Sequence, residues 1–522
     1  MSGRGPSSPS LGPDVGGQPG PALGSDAQAQ REPPADVVTI LRRHRQEHLL
    51  HWWAELPPAG RERLLAQCRR IDFARMEELA RTLPGARLPS REGWAPDAGA
   101  RQLTGESPLL PEFSGLAPAP VLSPTAMSPA EQRSVAEKGE DALRRGEVAV
   151  VTVAGGLGTR LAAGPVKGKV PVGPVSGKSL FQLQAEMLLA LSRRFRCRLP
   201  WHIMTSTANE QPTRDYFAEN RNFGLPAEGV RFFCQGEMPA VDDAGRLLLD
   251  APDHVAESPD GHGGCLYALA RSGALQELDS LGVEHLFYYQ VDNALVHIAD
   301  PLFLGLHVDC GSEASSKALA KRDADERLGH FALDGEGRLR VIEYSDMPAE
   351  VQQARADDGQ LRFRFGSIAI HIFSRRFFAD LVSRDVRLPF HRARKKVPFL
   401  DDAGVLVTPP APNATKFEQF IFDVLPLAQR TLVVETTRDE FCPVKEPEGP
   451  DSPPAARAAL TRRYAQWLEA AGVSRARGPE GEPAEPVEVS PLVALSAEEL
   501  ARWLGGRREL PRPIYLTERG ER

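Results

Sequence analysis

The stretch 148–168 constrains this chain more than any other, and it reads VAVVTVAGGLGTRLAAGPVKG. Its first six residues are β-branched or small and apolar, which predicts a buried strand. The strand runs into the glycine-rich turn AGGLGTR at 154–160. Glycines let backbone N–H groups approach a bulky anion, and successive N–H groups form a concave anion-binding nest. Because Arg160 and Lys167 add positive charge beside this turn, the sequence predicts a phosphate-ester site, most simply for a nucleotide.

Strands and helices alternate on either side of this loop. The apolar patterns predict strands at 148–153, 201–206, 230–234 and 285–291, with helices near 179–193, 209–221 and 265–280. Such alternation predicts an α/β fold with a mostly parallel, twisted sheet and flanking helices. Ligands of these sheets bind beyond the carboxyl ends of the strands, where the glycine loop and Asp292 are expected to lie.

Composition shifts divide the chain into four predicted regions. Residues 1–35 are rich in Gly, Pro, Ser and Ala and predict a disordered tail. Residues 36–127 predict a helical segment followed by a Pro/Gly-rich linker, and residues 128–430 the α/β core. Ser128-Pro129-Ala130-Glu131 is typical of a capped helix start at the head of that core. Residues 416–428 look helical, and residues 431–522 predict a small β-rich C-terminal domain.

Bulk properties exclude several classes of protein. The net charge is −7 and 41% of residues are hydrophobic, whereas a nucleic-acid-binding domain is basic. No apolar run approaches the roughly 20 residues that span a bilayer, and the N-terminus lacks a secretory signal. Six cysteines without a CxxC spacing fit neither a disulfide framework nor a zinc site. We therefore expect a cytoplasmic protein with no nucleic-acid or membrane partner.

Other motifs permit both a functional and a structural interpretation. Asp292 follows a hydrophobic strand and either holds Mg²⁺, which binds one or two carboxylates together with substrate phosphates, or caps a turn. The glycine-rich loop at 259–264 either approaches a base or sugar or is an ordinary turn. Gly173–Ser179 resembles a P-loop but has one residue too few. His44 and His48 match an HxxEH zinc pattern, although a solvated helix face is the simpler interpretation.

The chain carries a longer series of motifs in fixed order: AGGLGTRL at 154–161, VKG at 166–168, SLFQLQAE at 179–186, IMTS at 203–206, CQGEMPA at 234–240, PDGHGG at 259–264, QVDNALVHIADP at 290–301, VIEYSDM at 341–347, APNATKFEQFIFDV at 411–424 and EFCPVK at 440–445. Over residues 36–522 this series resembles the eukaryotic UDP-N-acetylhexosamine pyrophosphorylases. The resemblance implies a nucleotide-diphospho-sugar transferase core with an N-terminal segment and a C-terminal β domain. It also implies a uridylyltransferase reaction, in which UTP and a hexosamine 1-phosphate give a UDP-sugar and pyrophosphate with Mg²⁺.

The resemblance also implies roles for individual residues. The nucleotide would be bound by Val153, Ala154, Gly155, Gly156, Gly158, Thr159, Gln235, Gly261, Asp292 and Lys416. The sugar substrate would be bound by His262, Glu343, Tyr344, Ser367, Phe420, Phe422 and Lys445. Arg160 and Lys167 would be the catalytic cations, and Asp292 the Mg²⁺ ligand.

Catalysis of this reaction requires alignment and charge stabilisation rather than an activated nucleophile, because the attacking phosphate oxygen is already anionic. The sequence departs from the family at Leu157, His262 and Ser367, where the family commonly has amide side chains. A site built for hydrogen bonds is sensitive to one missing partner. The alternative is therefore a weakly active or inactive paralogue that binds UTP or a UDP-sugar and acts through protein partners.

Overall fold

The computed structural model describes residues 32–83, 113–161, 164–474, 483–510, 512–518 and 520–521. The α-helices of this part are α1 (Ala35–Arg43), α2 (Pro58–Arg70), α3 (Phe73–Arg81), α4 (Pro129–Arg144), α5 (Leu180–Phe195), α6 (Glu210–Glu219), α7 (Cys265–Arg271), α8 (Ala274–Ser280), α9 (Pro301–Asp309), α10 (Ala349–Gln353), α11 (Arg375–Ser383), α12 (Pro453–Ala470) and α13 (Ala497–Leu504). The predicted tail, except for residues 32–35, and the linker residues 84–112 lie outside the described residues.

The strands of the described chain are β1 (Ala117–Pro118), β2 (Val148–Val153), β3 (Trp201–Thr205), β4 (Val230–Cys234), β5 (Glu237–Pro239), β6 (Leu249–Ala251), β7 (His254–Val255), β8 (Glu257–Pro259), β9 (His285–Gln290), β10 (Ala314–Ala320), β11 (His330–Leu333), β12 (Leu339–Ile342), β13 (Phe365–Ser374), β14 (His391–Lys395), β15 (Phe399–Leu400), β16 (Leu406–Val407), β17 (Ala414–Glu418), β18 (Thr431–Thr436), β19 (Val487–Val489), β20 (Ile514–Thr517) and β21 (Gly520–Glu521).

A ten-stranded sheet forms the centre of the larger of two compact units. Its main path is β1-β11-β13-β9-β2-β3-β4, while β10 pairs with β13 and β18, and β12 pairs with β11. The strands β9, β2, β3 and β4 are all parallel, as are β10 and β18. Strand β13 runs antiparallel to both β9 and β10. The predicted α/β sheet with flanking helices is thus confirmed, and its parallel strands are the ones that precede the glycine loop, Gln235 and Asp292.

Helices cover both faces of this sheet, because alternate residues of each strand point to opposite sides. Val148 and Val150 of β2 pack in a buried cluster with side chains of α4, α5 and α9. Ala149 and Val151 pack in another with side chains of α7, α8 and α11. Helix α4 begins at the predicted capping box, in which Ser128 and Glu131 bond each other's backbone N–H groups. No helix among the described residues is long and apolar enough to cross a bilayer.

Two predicted helices differ in the structure. The helix expected at 265–280 is divided into α7 and α8 at Gly273, whose φ of 76° is left-handed. The prediction of a helix at 416–428 was wrong: Ala414–Glu418 is a strand, and Ile421–Leu427 is a 3-10 turn that contains Pro426. A proline lacks the N–H that an α-helix needs, and the first half has the alternating burial of a strand beyond Thr415.

The smaller unit combines the described residues 32–83 with the segments 239–256 and 395–414, both of which the sequence prediction placed inside the core. Gln67 joins α2 to β7 through two hydrogen bonds with the Val255 backbone. In the HxxEH motif, His44 bonds Glu77 at 2.8 Å and His48 bonds the Leu247 carbonyl at 2.8 Å. These structural bonds favour the simpler interpretation of the motif. The predicted domain boundaries stay a prediction.

The C-terminal region belongs to the larger unit. Strands β19 and β20 are parallel, and β21 pairs antiparallel with β20. Side chains of α12, α13, β19 and β20 form a third buried cluster, which includes Leu180 and Leu183 from the start of α5. The strands and helices of this region thus pack on α5, the helix that directly follows the P-loop-like segment at 173–179.

Candidate nucleotide-sugar site

The glycine loop leaves the carboxyl end of β2 and is held from below by the segment after β3. The hydroxyl of Ser206 donates to the Gly155 carbonyl at 2.8 Å, and the amide of Asn209 donates to the Ala154 carbonyl at 2.8 Å. Within the described chain, the N–H groups of Gly155 and Gly156 have no hydrogen-bond acceptor. Carbonyls that bond inward and N–H groups without acceptors are compatible with the predicted anion-binding nest, which stays a prediction.

The remaining residues of the glycine loop differ in their solvent exposure. Val153 ends β2 and accepts a hydrogen bond from the Val291 N–H at 3.0 Å, which ties the loop to the segment after β9. Ala154 is buried and Gly156 exposed, Gly158 is buried, and Thr159 begins a 3-10 turn that ends at Leu161. Leu157 is 47% exposed, so this apolar side chain of the glycine loop faces solvent.

Two glycines lie close to other groups beside the predicted base site, and the second position requires glycine. A Cβ on Gly155 would lie 2.7 Å from the side-chain nitrogen of Gln235, the far end of a flexible side chain. Gln235 directly follows β4 and is 6% exposed. Gly261 has a φ of 89°, and a Cβ there would lie 2.4 Å from the Gln419 carbonyl. The structure therefore brings Gly155 and Gln235 together, and seats Gly261 against the backbone after β17.

Lys167 and Asp292 form an ion pair at the carboxyl ends of β2 and β9. Their Nζ and Oδ2 atoms are 2.7 Å apart, and their side chains are 16% and 9% exposed. Burial alone would raise the pKa of the Asp292 carboxyl, but the charges of Lys167 and Lys445 outweigh burial and hold that pKa below its usual value. Asp292 is therefore a buried carboxylate that faces two lysines.

Arg160 occupies a different environment from Lys167. Its side chain is 73% exposed and forms an ion pair with Glu446, the residue after Lys445. The sequence prediction did not include Glu446. The residues around Glu446 in the sequence, among them the predicted ligand Lys445, do not indicate that Glu446 pairs with the glycine loop.

Three of the predicted sugar-binding rings form one cluster. The ring of His262 is stacked on Phe420, with centroids 5.1 Å apart, and lies edge-on to Phe422 at 5.8 Å. The Nδ1 atom of His262 accepts the Ile421 N–H at 3.1 Å, so the neutral ring carries its proton on Nε2. Burial first, and then the charge of His391, lower the pKa of His262 to about 4.

Glu343 and Ser367 meet at Gly329, which lies between them. The Ser367 N–H donates to the Gly329 carbonyl at 2.8 Å, and a Cβ on Gly329 would lie 3.1 Å from the Glu343 carboxylate. Lys416 is half-buried on β17. Tyr344 is 38% exposed, and among the described residues its ring contacts no other aromatic ring, so the structure does not join it to the ring cluster.

Three further residues belong to this ring cluster and its ion pairs and were missed by the sequence analysis. His391 stacks on Phe420 with centroids 4.3 Å apart and bonds the Asp423 carboxylate at 2.9 Å. Its Nδ1 atom lies 3.8 Å from the Asp346 carboxylate. His391 directly precedes the basic run at 392–396, whose pattern indicates a solvated loop. Its partners lie 32 and 45 positions away along the chain, so only the tertiary fold identifies it.

The loop that resembles a P-loop already holds a protein carboxylate. Glu488 of β19, which is fully buried, accepts hydrogen bonds from the Val175 N–H at 2.8 Å, the Ser176 N–H at 2.7 Å and the Ser176 hydroxyl at 2.6 Å. Lys178 pairs with Glu186 at 2.7 Å. The anion-binding capacity of this loop is therefore used to attach the C-terminal sheet.

The donor set at Asp292 fits a phosphate-bound magnesium ion. Within the described chain, no group of three or more His, Cys, Asp or Glu side chains is arranged to hold a metal. Mg²⁺, however, commonly takes one or two carboxylates together with substrate phosphates and water. Asp292 supplies one buried carboxylate beside the glycine loop, which matches that requirement.

Comparisons with known proteins agree with this geometry. The sequence pattern of UTP–glucose-1-phosphate uridylyltransferases matches residues 120–449. The human UDP-N-acetylhexosamine pyrophosphorylase-like protein 1 is 38% identical over 92% of this chain and 97% of that protein. The UDP-N-acetylglucosamine pyrophosphorylase of Saccharomyces cerevisiae is 35% identical over 88% of this chain and 95% of that protein.

A solved structure shows the same fold. The uridine diphosphate N-acetylglucosamine pyrophosphorylase of Trypanosoma brucei superposes with a TM-score of 0.74 over 95% of this chain and 99% of that chain, at 24% identity. The resemblance expected from the motifs is thus confirmed. The chain belongs to the UTP–glucose-1-phosphate uridylyltransferase family, and within it to the UDP-N-acetylhexosamine pyrophosphorylases.

Proposed function

We propose that this chain transfers the uridylyl group of UTP to an N-acetylhexosamine 1-phosphate, with N-acetylglucosamine 1-phosphate as the first substrate to test. The proposal rests on the buried Lys167–Asp292 pair beside the glycine loop, within a chain whose relatives carry this activity in their names. A loop for phosphates, a carboxylate for a divalent cation and lysines around both are what transfer between two anions requires.

In the proposed reaction, an oxygen of the sugar phosphate attacks the α-phosphorus of UTP. The bond from that phosphorus to the oxygen leading to the β-phosphorus breaks, and pyrophosphate leaves. The N–H groups of Gly155 and Gly156 bind phosphate oxygens, while Arg160, Lys167 and Lys416 offset the charge of the transferring group. Gln235 and Gly261 contact the uracil. Asp292 would hold Mg²⁺, which supplies charge stabilisation on the phosphates when it is bound.

In this proposal, the sugar is bound by a second set of residues, which lies next to Lys445. Glu343, Tyr344 and Ser367 would contact hydroxyl and amide groups, and His262 would offer its Nε2–H as a donor. The charge of Lys445 acts on the carboxyls of both Asp292 and Glu343, which supports a role for Lys445 on the phosphate of the sugar substrate.

Pyrophosphate release from UTP over a panel of sugar 1-phosphates tests the proposal. We expect Mg²⁺-dependent release with an N-acetylhexosamine 1-phosphate, and little with the glucose compound. Calorimetry with the UDP-sugar runs in parallel. Binding without turnover would identify the alternative, a paralogue that binds UDP-sugar and acts through protein partners, and absence of both would contradict the proposal.

We also propose that the protein works in the cytoplasm. All six cysteines are free, and three of them are buried, as is typical of chains that fold in a reducing compartment. Imaging of a fluorescent fusion together with a cytosolic marker tests this.

A further inference from the structure

Three rings stack face to face beside the predicted sugar-binding residues. Phe420 is stacked with His262 at a centroid distance of 5.1 Å and an interplanar angle of 18°. It is also stacked with His391, at 4.3 Å and 28°. Phe422 stands across these rings, at 73° to His391.

His391, one of the two histidines stacked on Phe420, is positively charged. Burial alone would lower its pKa, but contacts with the carboxylates of Asp346 and Asp423 outweigh burial and raise that pKa to about 9. A cation over an aromatic face is attracted by the ring's quadrupole. The charge of His391 therefore strengthens its contact with Phe420, in addition to its hydrogen bond with Asp423 at 2.9 Å.

The same charge acts on Glu343, the predicted ligand of sugar hydroxyls. Burial raises the pKa of the Glu343 carboxyl to about 7, and Asp346 and Asp423 contribute in the same direction. Only His391 and Lys445 act in the opposite direction among the groups that influence this carboxyl most. Around His391 itself, the charged groups are Asp346 and Asp423, with Arg392 next along β14 and acting on Asp346.

We propose that His391 is a positioning residue for the sugar 1-phosphate, an inference that rests on the proposed function. Its ring holds Phe420, and through Phe420 it holds His262, in the stacked arrangement. Its charge favours the ionised form of Glu343 over the protonated one. An ionised carboxylate accepts hydrogen bonds at both oxygens, whereas a protonated one must donate one of its bonds, so the hydroxyl donors of a hexosamine favour the ionised form.

Two substitutions separate the ring from the charge. His391→Phe keeps an aromatic ring against Phe420 and removes the charge, whereas His391→Lys keeps a charge and removes the ring. We expect the phenylalanine variant to raise KM for the sugar 1-phosphate about fivefold at pH 7, since a rise of one pKa unit from about 7 lowers the ionised fraction of Glu343 at that pH by about this factor. This KM should recover towards pH 9, while KM for UTP stays within twofold of the unsubstituted chain.

The lysine variant should retain the unsubstituted pH profile of kcat/KM for the sugar 1-phosphate, with a higher KM at every pH. His254→Phe is the matched control, because His254 is 47% exposed on β7, pairs with Asp250 and lies outside the site. We expect no change in either KM for that control. Equal pH profiles for the phenylalanine variant and the unsubstituted chain would overturn the inference.

A second measurement applies even where a variant fails to fold. In the unsubstituted chain labelled with ¹⁵N-histidine, one imidazolium signal should persist at pH 8 and disappear when His391 is substituted. Its absence at pH 8 would also overturn the inference. If the unsubstituted chain neither turns over nor binds the UDP-sugar, the proposed function and this inference both fail, whereas turnover with unaltered variants rejects the inference alone.

Discussion

The two predicted catalytic cations are embedded differently, and substitution should therefore affect them differently. Arg160 is 73% exposed and its ion pair with Glu446 is exposed as well. Such a pair contributes about 1 kcal/mol or less to stability. We expect Arg160→Ala to lower kcat by about 100-fold through lost charge stabilisation. The free energy of unfolding should fall by no more than the contribution of that ion pair, about 1 kcal/mol.

Steady-state assays and denaturant unfolding of the same preparations check this. Arg384→Ala is the matched control, because Arg384 is also exposed and paired, with Asp380 at 2.9 Å, outside the glycine loop. A large loss of stability in Arg160→Ala, or an unchanged kcat, would contradict the assignment of Arg160 to the transferring phosphate.

Lys167 should contribute to both stability and activity. Removing one partner of a buried pair leaves the other charge uncompensated, at a cost of about 3 kcal/mol, and here Lys445 offsets part of it. We expect Lys167→Met to abolish turnover and to lower the free energy of unfolding by about 2 kcal/mol. Adding Asp292→Asn should restore stability but not activity, and a double variant less stable than the single one would show that the two residues do not form the pair.

At the residue scale, the sequence could predict what lies in one continuous motif. The glycine loop, Gln235 and Asp292 directly follow β2, β4 and β9 of the central sheet, whereas Gly261 follows β8 of a separate two-stranded sheet. His391, Asp346 and Asp423 could not be predicted, because each lies in a separate segment and only their tertiary contacts show a shared role. Glu446 was missed for the same reason.

At the scale of elements, local pattern was sufficient where one strand or helix decided its own structure. β2 and β4 have the predicted bounds, and the start of α4 is the predicted capping box. The prediction failed at 416–428, because a strand and a 3-10 turn in succession give an average apolar spacing that imitates a helix. It also missed the partner of the loop at 173–179, which lies more than 300 positions away in β19.

That loop yields a prediction about how β19 is attached. Glu488 satisfies two backbone N–H groups and one hydroxyl while fully buried, so Glu488→Ala should lower the free energy of unfolding by about 3 kcal/mol or more. Glu488→Gln keeps one acceptor oxygen and should lose less, and the exposed Glu509→Gln is the control. Calorimetry should find UTP affinity unchanged in Lys178→Ala, because this loop binds a carboxylate, whereas a large loss would favour a P-loop nucleotide site.

At the scale of the whole molecule, buried and half-buried neutral histidines couple folding to pH. Burial is the main cause that lowers the pKa values of these rings, to about 4 for His202, His262, His297 and His330 and to about 3 for His307 and His371. The unfolded chain binds protons at these groups near pH 6.5 and the folded chain does not. Between pH 6.5 and 4 the stability therefore falls as the pH falls, by up to about 1.4 kcal/mol per pH unit for each group.

Two carboxyls and one histidine act in the opposite sense. Asp260 and Glu343 have pKa values raised by burial to about 6 and about 7, so they favour the folded chain as acid is added. The stability from His391 is fully present below pH 6.5 and is lost as the pH rises through about 9. Because the six neutral histidines outnumber these groups on the acid side, we expect a stability maximum near neutral pH.

Melting temperatures between pH 7 and pH 5 check this expectation, and a marked decrease on acidification is the predicted outcome. His202 gives the sharpest variant, because it is 1% exposed and neither ring nitrogen has a hydrogen-bond partner among the described residues. His202→Leu removes its protonation from both the folded and the unfolded chain, so the decrease should be smaller, with a gain of about 1 kcal/mol at pH 5 relative to the unsubstituted chain. His254→Leu, which replaces an exposed histidine, should leave the decrease unchanged. A melting temperature that is flat from pH 7 to pH 5 would mean that these rings are hydrated and titrate normally in the folded chain.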